Sequence, residues 1–293
     1  MSAPTTEDDE RKLRELRGLL SDMDSAVLAF SGGVDSTFLL RVAAEEIGDG
    51  LTAVTATSPT YIDEEYREAL ELAENMGVEH LTLQSNELEN EGFRHNPPER
   101  CYHCKKELFG QMQDVAERRN AECVMDASTA DDSADYRPGL AAAEELGVRS
   151  PLMEAGVDKA AIRRLSREMG LPTWNKPSLA CLASRFPYGE EITADKLNRV
   201  EQAEKFLRDL GYRQVRVRSH GDLARVEVPP EDVQELSAED TRTQLIERFK
   251  ELGFTYVTLD LQGYRSGSMN ETLSAEEQAE HRRTEDSEGA DRP

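Results

Sequence analysis

A strand-like apolar segment that runs directly into a Ser-Gly-Gly turn is the feature that most constrains how this chain can fold. Residues 26–30 have the sequence AVLAF, and Ser31–Ser36 have the sequence SGGVDS, with a helix expected from Ser36 onward. Two adjacent glycines let the backbone approach an anion closely, and the helix N-terminus behind them supplies free N–H groups and a positive dipole end. The Walker pattern, with the lysine that holds the β- and γ-phosphates, is missing. The turn therefore predicts a phosphate-binding loop of another type, with an ordinary strand-to-helix turn as the alternative.

The order of helix and strand patterns predicts two domains. Strands and helices alternate over the first half, which predicts an α/β domain whose parallel sheet is covered by helices and binds ligands at the strand C-termini. A proline-containing loop at 171–187 is followed by the pattern of a smaller α+β domain. The predicted segments are a disordered 1–9, the α/β domain at 10–175, the α+β domain at 176–272 and a disordered acidic tail at 273–293. Both ends lack apolar residues. The predicted strands are 25–30, 51–56, 79–84, 121–126, 214–218, 223–228 and 256–261, and the predicted helices are 9–21, 36–47, 62–76, 103–119, 137–147, 158–169, 194–210 and 241–252.

The charge balance argues against a nucleic-acid partner. The 293 residues include 59 acidic and 35 basic side chains, a formal net charge of −24, so the totals indicate no basic stripe for phosphate backbones. No apolar run approaches the roughly 18 residues of a membrane span, and the acidic N-terminus is unlike a secretion signal. Four cysteines in a chain of this length do not make a disulfide framework, which fits a reducing compartment. We therefore expect a cytoplasmic protein that acts on a small molecule away from membranes; a homo-oligomer is left open.

One cysteine stands in the long loop between the two predicted domains. Cys181 is flanked by Lys176 and Arg185, which can lower the pKa of its thiol and favour the nucleophilic thiolate. The alternative is a buried, inert cysteine beside Leu179 and Leu182, since free cysteines usually pack inside. The residues alone leave both interpretations open.

The loop at Ser31–Ser36 resembles the PP-loop of the N-type ATP pyrophosphatases. Members of that superfamily split ATP between the α- and β-phosphates and transfer AMP to a substrate oxygen, so the resemblance implies adenylation rather than phosphorylation. ATP chemistry requires Mg²⁺, which takes oxygen ligands, and Asp35 ranks before Asp131 and Asp132 as its ligand. The ATP-binding residues implied by the resemblance are Ser31, Gly32, Gly33, Asp35 and Ser36.

Further stretches rich in cysteine, arginine and aspartate extend over most of the chain: 100–105 (RCYHCK), 131–139 (DDSADYRPG), 180–189 (ACLASRFPYG), 216–218 (RVR) and 263–267 (GYRSG). With the PP-loop, they resemble the LarE family, ATP-dependent sacrificial sulfur transferases that help build the nickel-pincer cofactor of lactate racemase. In that family a carboxylated pyridinium mononucleotide is adenylated, a cysteine thiolate displaces AMP, and elimination releases the thiocarboxylate and leaves dehydroalanine. The resemblance implies that Cys181 donates the sulfur and that Arg216 and Arg218 hold the substrate phosphate. One departure is 126–129 (DAST), where the family pattern is nearer Asp-Gly-Thr-Asn.

The motif Cys101-x-x-Cys104 keeps further interpretations open, since such a pair can bind a metal, form a redox pair or simply begin a helix without any metal. Together with Cys181 it provides three thiolates, one short of a structural tetrahedral site, and three cysteines can hold a [4Fe-4S] cluster with one open position. Some PP-loop enzymes that thiolate tRNA use such a cluster, which would then be catalytic here. An ammonia-using amidating ligase and a nucleotide sensor without turnover are further alternatives to a sulfur transferase.

Cys123 lies in a predicted strand and is expected in the core.

Overall fold

Most of the chain is described by the structure, a computed structural model. The residues described are 4–134, 138–177, 180–265 and 268. The tail predicted to be disordered, at 273–293, lies outside the described residues, as do parts of two motifs, at 135–137 and 266–267, and residues 178–179 of the predicted loop. No helix within the described ranges is long and apolar enough to cross a membrane. The elements run α1 (Glu7–Ser21), β1 (Ala26–Ala29), α2 (Val34–Glu46), β2 (Leu51–Thr57), α3 (Asp63–Asn75), β3 (Glu79–Gln84), α4 (Glu91–Arg94), α5 (Arg100–Arg119), β4 (Cys123–Met125), α6 (Pro138–Glu145), α7 (Pro151–Glu154), α8 (Lys159–Glu168), α9 (Ala194–Asp209), β5 (Arg216–His220), β6 (Leu223–Glu227), α10 (Val233–Leu236), α11 (Glu239–Glu251) and β7 (Tyr256–Leu259).

A four-stranded parallel sheet forms the centre of the first unit, with its strands in the order β3-β2-β1-β4. Leu28 of β1 pairs with Ala53 of β2 on one side and with Met125 of β4 on the other. β1 and β2 are almost entirely buried, as expected of apolar strands with helices on both faces. The predicted α/β fold with a parallel sheet is confirmed.

The core of this unit lies on both faces of the sheet, because successive side chains of a strand point in opposite directions. Leu28 belongs to a cluster formed with α1, α2 and α8, whereas Val27 belongs to a second cluster formed with α5 and α6. Phe38 of α2 and Phe109 of α5 are fully buried in these two clusters. The helices thereby hold β1, and the turn that follows it, in a fixed position.

Helix α1 begins earlier than the sequence analysis predicts. Thr6 caps it: its side chain accepts the Asp9 N–H at 3.2 Å, and Asp9 accepts the Thr6 N–H at 2.8 Å. The Asp9 carboxylate is buried and receives two 2.7 Å hydrogen bonds from the Arg164 guanidinium of α8. The prediction that 1–9 are disordered is therefore wrong for residues 7–9, which the capping box and this ion pair order.

The second unit is built around a three-stranded sheet with the order β5-β6-β7. β5 and β6 form the predicted antiparallel hairpin, in which Arg218 lies opposite Arg225, while β7 pairs with β6 in parallel. Helix α9 packs on β5 and buries Leu197, Val200 and Leu207. The predicted α+β character of this unit is confirmed.

The division between the units differs from the expected one in two places: segment 88–98 belongs to the second unit, and residues 176 and 177, predicted to begin the α+β domain, belong to the first. The first unit includes described residues up to 177, and the second unit includes 88–98 as well as the residues from 180 onward. Main-chain hydrogen bonds explain this assignment: the Asn96 carbonyl accepts the Gly189 N–H at 2.9 Å, and the Arg94 carbonyl accepts the Ile192 N–H at 2.8 Å. The sequence analysis placed this segment in the first domain because such long-range pairing has no local pattern.

Candidate functional site

The turn after β1 has the geometry of an anion-binding loop. The Phe30 N–H extends the sheet ladder to the Val54 carbonyl at 2.8 Å, and the chain then turns through Gly32, whose φ is +67°. Helix α2 begins at Val34, two residues earlier than predicted, with Gly33 at its N-cap. The N-terminal N–H groups of α2 therefore lie directly behind the two glycines, where a phosphate can be bound.

The side chains of this turn hydrogen-bond to one another only loosely. Ser31 and Ser36 bring their hydroxyl oxygens within 3.1 Å of each other, and the Gly33 N–H donates to the Ser31 hydroxyl at 3.3 Å. A Cβ atom at Gly33 would lie 3.3 Å from the same Ser31 oxygen, so the missing side chain keeps this space open. These long bonds are easily exchanged for a phosphate, whose charged oxygens accept shorter and stronger ones.

The strand order identifies which edge of the sheet this loop occupies. The chain goes from β1 to β2 and β3 on one side and then crosses to β4 on the other, and ligands bind where such an order reverses. The turn after β4 faces the same edge and is organised by Asp126, which is buried. Its carboxylate accepts the N–H and hydroxyl of Ser128 at 3.1 and 2.7 Å and the hydroxyl of Ser150 at 2.7 Å. These hydrogen bonds close the turn that contains the departure at 126–129.

The aspartates proposed as magnesium ligands have different surroundings. Asp35 lies in the first turn of α2, next to the loop. Asp132 is buried and accepts hydrogen bonds from the N–H and hydroxyl of Thr129 and from Lys159 Nζ, at 2.9, 3.0 and 2.8 Å. Within the described part of the chain, no group of three or more histidine, cysteine, aspartate or glutamate residues could hold a metal ion. Asp35 and Asp132 therefore remain predicted magnesium ligands. Asp132 already accepts three hydrogen bonds from protein groups.

A lysine that the sequence analysis associated with Cys181 contacts the Ser31–Ser36 loop. Lys176 Nζ donates to the Gly32 carbonyl at 3.3 Å and to Glu68 Oε2 of α3 at 2.7 Å. Lys176 and Gly32 are 144 positions apart, so no local motif could have shown this contact.

In the second unit, Cys181 is exposed at the start of the 3₁₀ turn Leu182–Arg185. The next two side chains, Leu182 and Ala183, are fully buried and fix the turn in the core. Arg185 Nη1 donates to the carbonyls of Ala180 and Cys181 at 2.7 and 3.1 Å. The prediction of a buried cysteine is therefore wrong, because the buried neighbours anchor a loop that leaves Cys181 accessible, while its reactivity stays a prediction.

A buried ion pair fixes the base of this cysteine loop. The Arg185 guanidinium donates from Nε and Nη2 to the Glu204 carboxylate of α9, at 2.7 and 2.9 Å. Burial alone would raise the pKa of Glu204, but the charge and hydrogen bonds of Arg185 lower it below its usual value.

The arginines predicted to bind phosphate lie side by side on β5. Arg218 donates to Glu227 of β6 at 3.1 and 2.9 Å and to the Ser184 carbonyl of the cysteine loop at 2.8 Å. Arg216 is buried with its guanidinium 5.3 Å from the Tyr264 ring centre. Burial, followed by the positive charge of Arg185, lowers the pKa of Arg216 to about 10. A phosphate would reverse this repulsion, so the electrostatics favour an anion beside Arg216.

The remaining cysteines lie in the first unit. Cys101 and Cys104 lie near the start of α5, one exposed and the other half-buried, and stay predictions as cluster ligands. Cys123 is half-buried against the core as expected, and burial raises the pKa of its thiol.

The chain has a parallel sheet whose strand order reverses at β1, and a Gly/Ser loop connects β1 to the N-terminus of α2. These features define an α/β protein of the PP-loop class. No protein-family model matches the chain. It is similar to one component of the glutamine-hydrolyzing GMP synthase of Archaeoglobus fulgidus, with 24% identity over 224 residues, 68% of this chain and 69% of that protein. This weaker similarity fits the class of the fold.

Two similarities are much stronger. An uncharacterized protein of Synechocystis is 47% identical over 265 residues, which cover 90% of this chain and 99% of the relative. The pyridinium-3,5-bisthiocarboxylic acid mononucleotide synthase of Lactiplantibacillus plantarum is 40% identical over 264 residues, 90% of this chain and 95% of the relative. The chain therefore belongs to the family of this synthase, which confirms the resemblance to the sacrificial sulfur transferases. The tRNA-thiolating and amidating alternatives are not favoured.

Proposed function

We propose that this protein is an ATP-dependent sulfur transferase that activates a carboxylate of a pyridinium mononucleotide and donates the sulfur of its own Cys181. The observation that carries the proposal is the exposed Cys181 on a loop whose main chain is clamped by buried Arg185. An accessible thiol on a rigid support suits a nucleophile, because its attack geometry is fixed before substrate binds. The name of the Lactiplantibacillus plantarum relative supports the same substrate class. We expect the enzyme to act in the cytoplasm, where thiols stay reduced.

The first step of the proposal uses the PP-loop. A substrate carboxylate oxygen attacks the α-phosphorus of ATP, the bond from that phosphorus to the β-phosphate bridge breaks, and pyrophosphate leaves. The N–H groups behind Gly32 and Gly33, with the hydroxyls of Ser31 and Ser36, would bind the phosphates. Mg²⁺ binds through one or two carboxylates plus substrate phosphates, so Asp35 can serve without an all-protein cluster.

The second and third steps use the cysteine loop. The Cys181 thiolate attacks the acyl carbon, AMP leaves, and a thioester joins substrate and protein. A base then removes the Cα proton of Cys181, the Cβ–S bond breaks, and the thiocarboxylate departs while dehydroalanine stays in the chain. Arg216 and Arg218 would hold the substrate phosphate through charge-assisted hydrogen bonds. Each molecule of protein would therefore donate sulfur once.

The test is the intact mass of anaerobically purified protein before and after incubation with ATP, Mg²⁺ and the carboxylated pyridinium mononucleotide. We expect a loss equal to one H₂S, mapped by peptide sequencing to Cys181. The Cys181→Ala variant should show no loss and form no thiolated product, whereas Cys123→Ala, which removes a half-buried thiol, should behave as the wild type. Thiolated product with an unchanged mass and an iron–sulfur absorbance would contradict the proposal.

A further inference from the structure

The PP-loop contains no positive charge of its own. The only ionisable side chain in Ser31–Ser36 is Asp35, and the other polar groups are hydroxyls and main-chain N–H groups. A nucleotide triphosphate carries several negative charges close together, and bringing them beside Asp35 is unfavourable without a cation. In Walker-type loops, a lysine inside the motif offsets the negative charge of the phosphates. A lysine from another segment of the same unit would offset this charge in the same way.

We propose that Lys176 is this lysine and that it binds the β- and γ-phosphates of ATP and the pyrophosphate that leaves. The inference rests on the proposed function, because it requires that ATP binds at Ser31–Ser36. Its basis is the contact between Lys176 Nζ and the Gly32 carbonyl at 3.3 Å, which places the ammonium group on the loop itself. An ammonium group is a compact point charge with three donors, so it can keep this carbonyl and still bind phosphate oxygens.

The main chain of Lys176 is fixed by hydrogen bonds. Arg163 of α8 donates to the Trp174 carbonyl at 3.0 Å and to the Lys176 carbonyl at 3.1 Å. The Lys176 N–H closes a turn onto the Thr173 carbonyl at 2.9 Å. The side chain is only 15% exposed. Such an anchored and largely covered lysine differs from an ordinary solvated one, because little freedom is lost when it binds a ligand.

Two carboxylates of α3 hold the ammonium group in this structure. Glu68 Oε2 lies 2.7 Å from Lys176 Nζ and Glu65 Oε1 lies 3.8 Å from it. The Glu68 side chain is 50% exposed, so its ion pair is screened by water and contributes little to stability. A phosphate with more than one negative charge can therefore replace Glu68 at the ammonium. In this arrangement Glu68 positions the lysine before nucleotide binds and competes with the phosphates for it.

A purely structural role for the same ion pair makes a different prediction. If Lys176 and Glu68 only brace helix α3 against the segment that carries the lysine, loss of either side chain should disturb the loop alike. If Lys176 binds the phosphates, loss of the lysine weakens nucleotide binding, whereas loss of the glutamate removes a competitor. The two substitutions then act in opposite directions.

The experiment measures binding of ATP with Mg²⁺, of inorganic pyrophosphate and of AMP to the full chain by calorimetry. The variants are Lys176→Gln, Lys176→Arg, Glu68→Gln and the control Lys106→Gln, which removes an exposed lysine that is 2.6 Å from Glu145 in the same unit. We expect Lys176→Gln to weaken ATP and pyrophosphate binding by about 10- to 100-fold, the effect of one charge-assisted hydrogen bond, and to change AMP binding by less than about 2-fold. Lys176→Arg should restore part of the loss. Glu68→Gln should equal or exceed the wild-type affinity, and Lys106→Gln should equal it.

The outcomes separate this inference from the proposed function. Wild-type affinity for ATP and pyrophosphate in Lys176→Gln would overturn the inference and leave the proposed function standing. An equal loss for AMP, or weaker ATP binding in Glu68→Gln, would also overturn it, because both indicate a brace. A wild-type chain that binds no ATP would overturn the proposed function and the inference together. Should Lys176→Gln fail to fold, the direction of change in Glu68→Gln decides.

Discussion

Arg185 and Glu204 form an ion pair with no exposed side-chain surface, and this pair connects three parts of the second unit. The Glu204 carboxylate of α9 also accepts the Val217 N–H of β5 at 3.0 Å. The third nitrogen of Arg185 binds the carbonyls of Ala180 and Cys181. The helix, the strand and the cysteine loop are therefore positioned by one pair of side chains.

Glu204→Gln should destabilise the protein strongly, because it leaves the Arg185 charge buried without its partner. We expect a loss of about 3–5 kcal/mol in the free energy of unfolding, measured by urea denaturation. The matched control is Lys205→Gln on the same helix, which removes an exposed pair with Asp209 and should cost no more than about 0.5 kcal/mol. Similar losses in both variants would show that the buried pair is not what holds the loop.

Gly32→Ala should impair nucleotide binding as well as stability. Gly32 has φ +67°, and an added Cβ would lie 3.0 Å from the Ala69 Cβ and 3.2 Å from the Ala69 Cα, so the loop would have to move away from α3. Gly48→Ala is the control, since Gly48 has φ +65° but nothing within 4 Å of the added atom. Both variants should lose about 1–2 kcal/mol from backbone strain. Only Gly32→Ala should also lower the shift in melting temperature that ATP produces, measured by differential scanning fluorimetry.

Arg216→Gln should weaken binding of the mononucleotide without affecting ATP. We expect the dissociation constant for the mononucleotide to rise by about 10- to 100-fold, since a buried guanidinium makes charge-assisted hydrogen bonds to phosphate. Calorimetric titration of the protein with the mononucleotide in the absence of ATP measures this effect without turnover. Arg248→Gln, which removes an exposed arginine of α11 paired with Glu251, should leave the dissociation constant unchanged. An unchanged dissociation constant in Arg216→Gln would remove this residue from the phosphate site.

The stability of the first unit should depend on pH through Asp9. The hydrogen bonds from Arg164 hold the pKa of Asp9 well below its usual range in the folded state. A carboxylate with a lowered folded pKa stabilises the fold above its unfolded pKa, about 3.9, and this contribution disappears as the pH falls further. Asp9→Asn should therefore lower the melting temperature at pH 7 and lower it less at pH 2.5. An equal difference at both pH values would contradict this assignment.

The PP-loop could be predicted from the sequence because its parts are contiguous. The strand β1, the glycines and the N-terminus of α2 lie within a few residues of one another, and their function depends on local backbone geometry. The capping box of Thr6 and Asp9 is equally local, but the sequence analysis judged 1–9 by their polar composition alone and predicted disorder for residues 7–9 that the structure shows in α1. Burial of Asp9 under Arg164 is a contact between distant helices, which composition does not show.

The sequence by itself determined the α/β class, the Gly/Ser turn between the first strand and its helix and, through motifs, the family. Only the tertiary structure decided that Cys181 is exposed, that Arg185 is committed to Glu204, and that Lys176 contacts the PP-loop. The physical reason is the range of the interactions. Backbone turns and helix starts depend on neighbouring residues, whereas burial and ion pairing depend on which distant segments the packed core brings together.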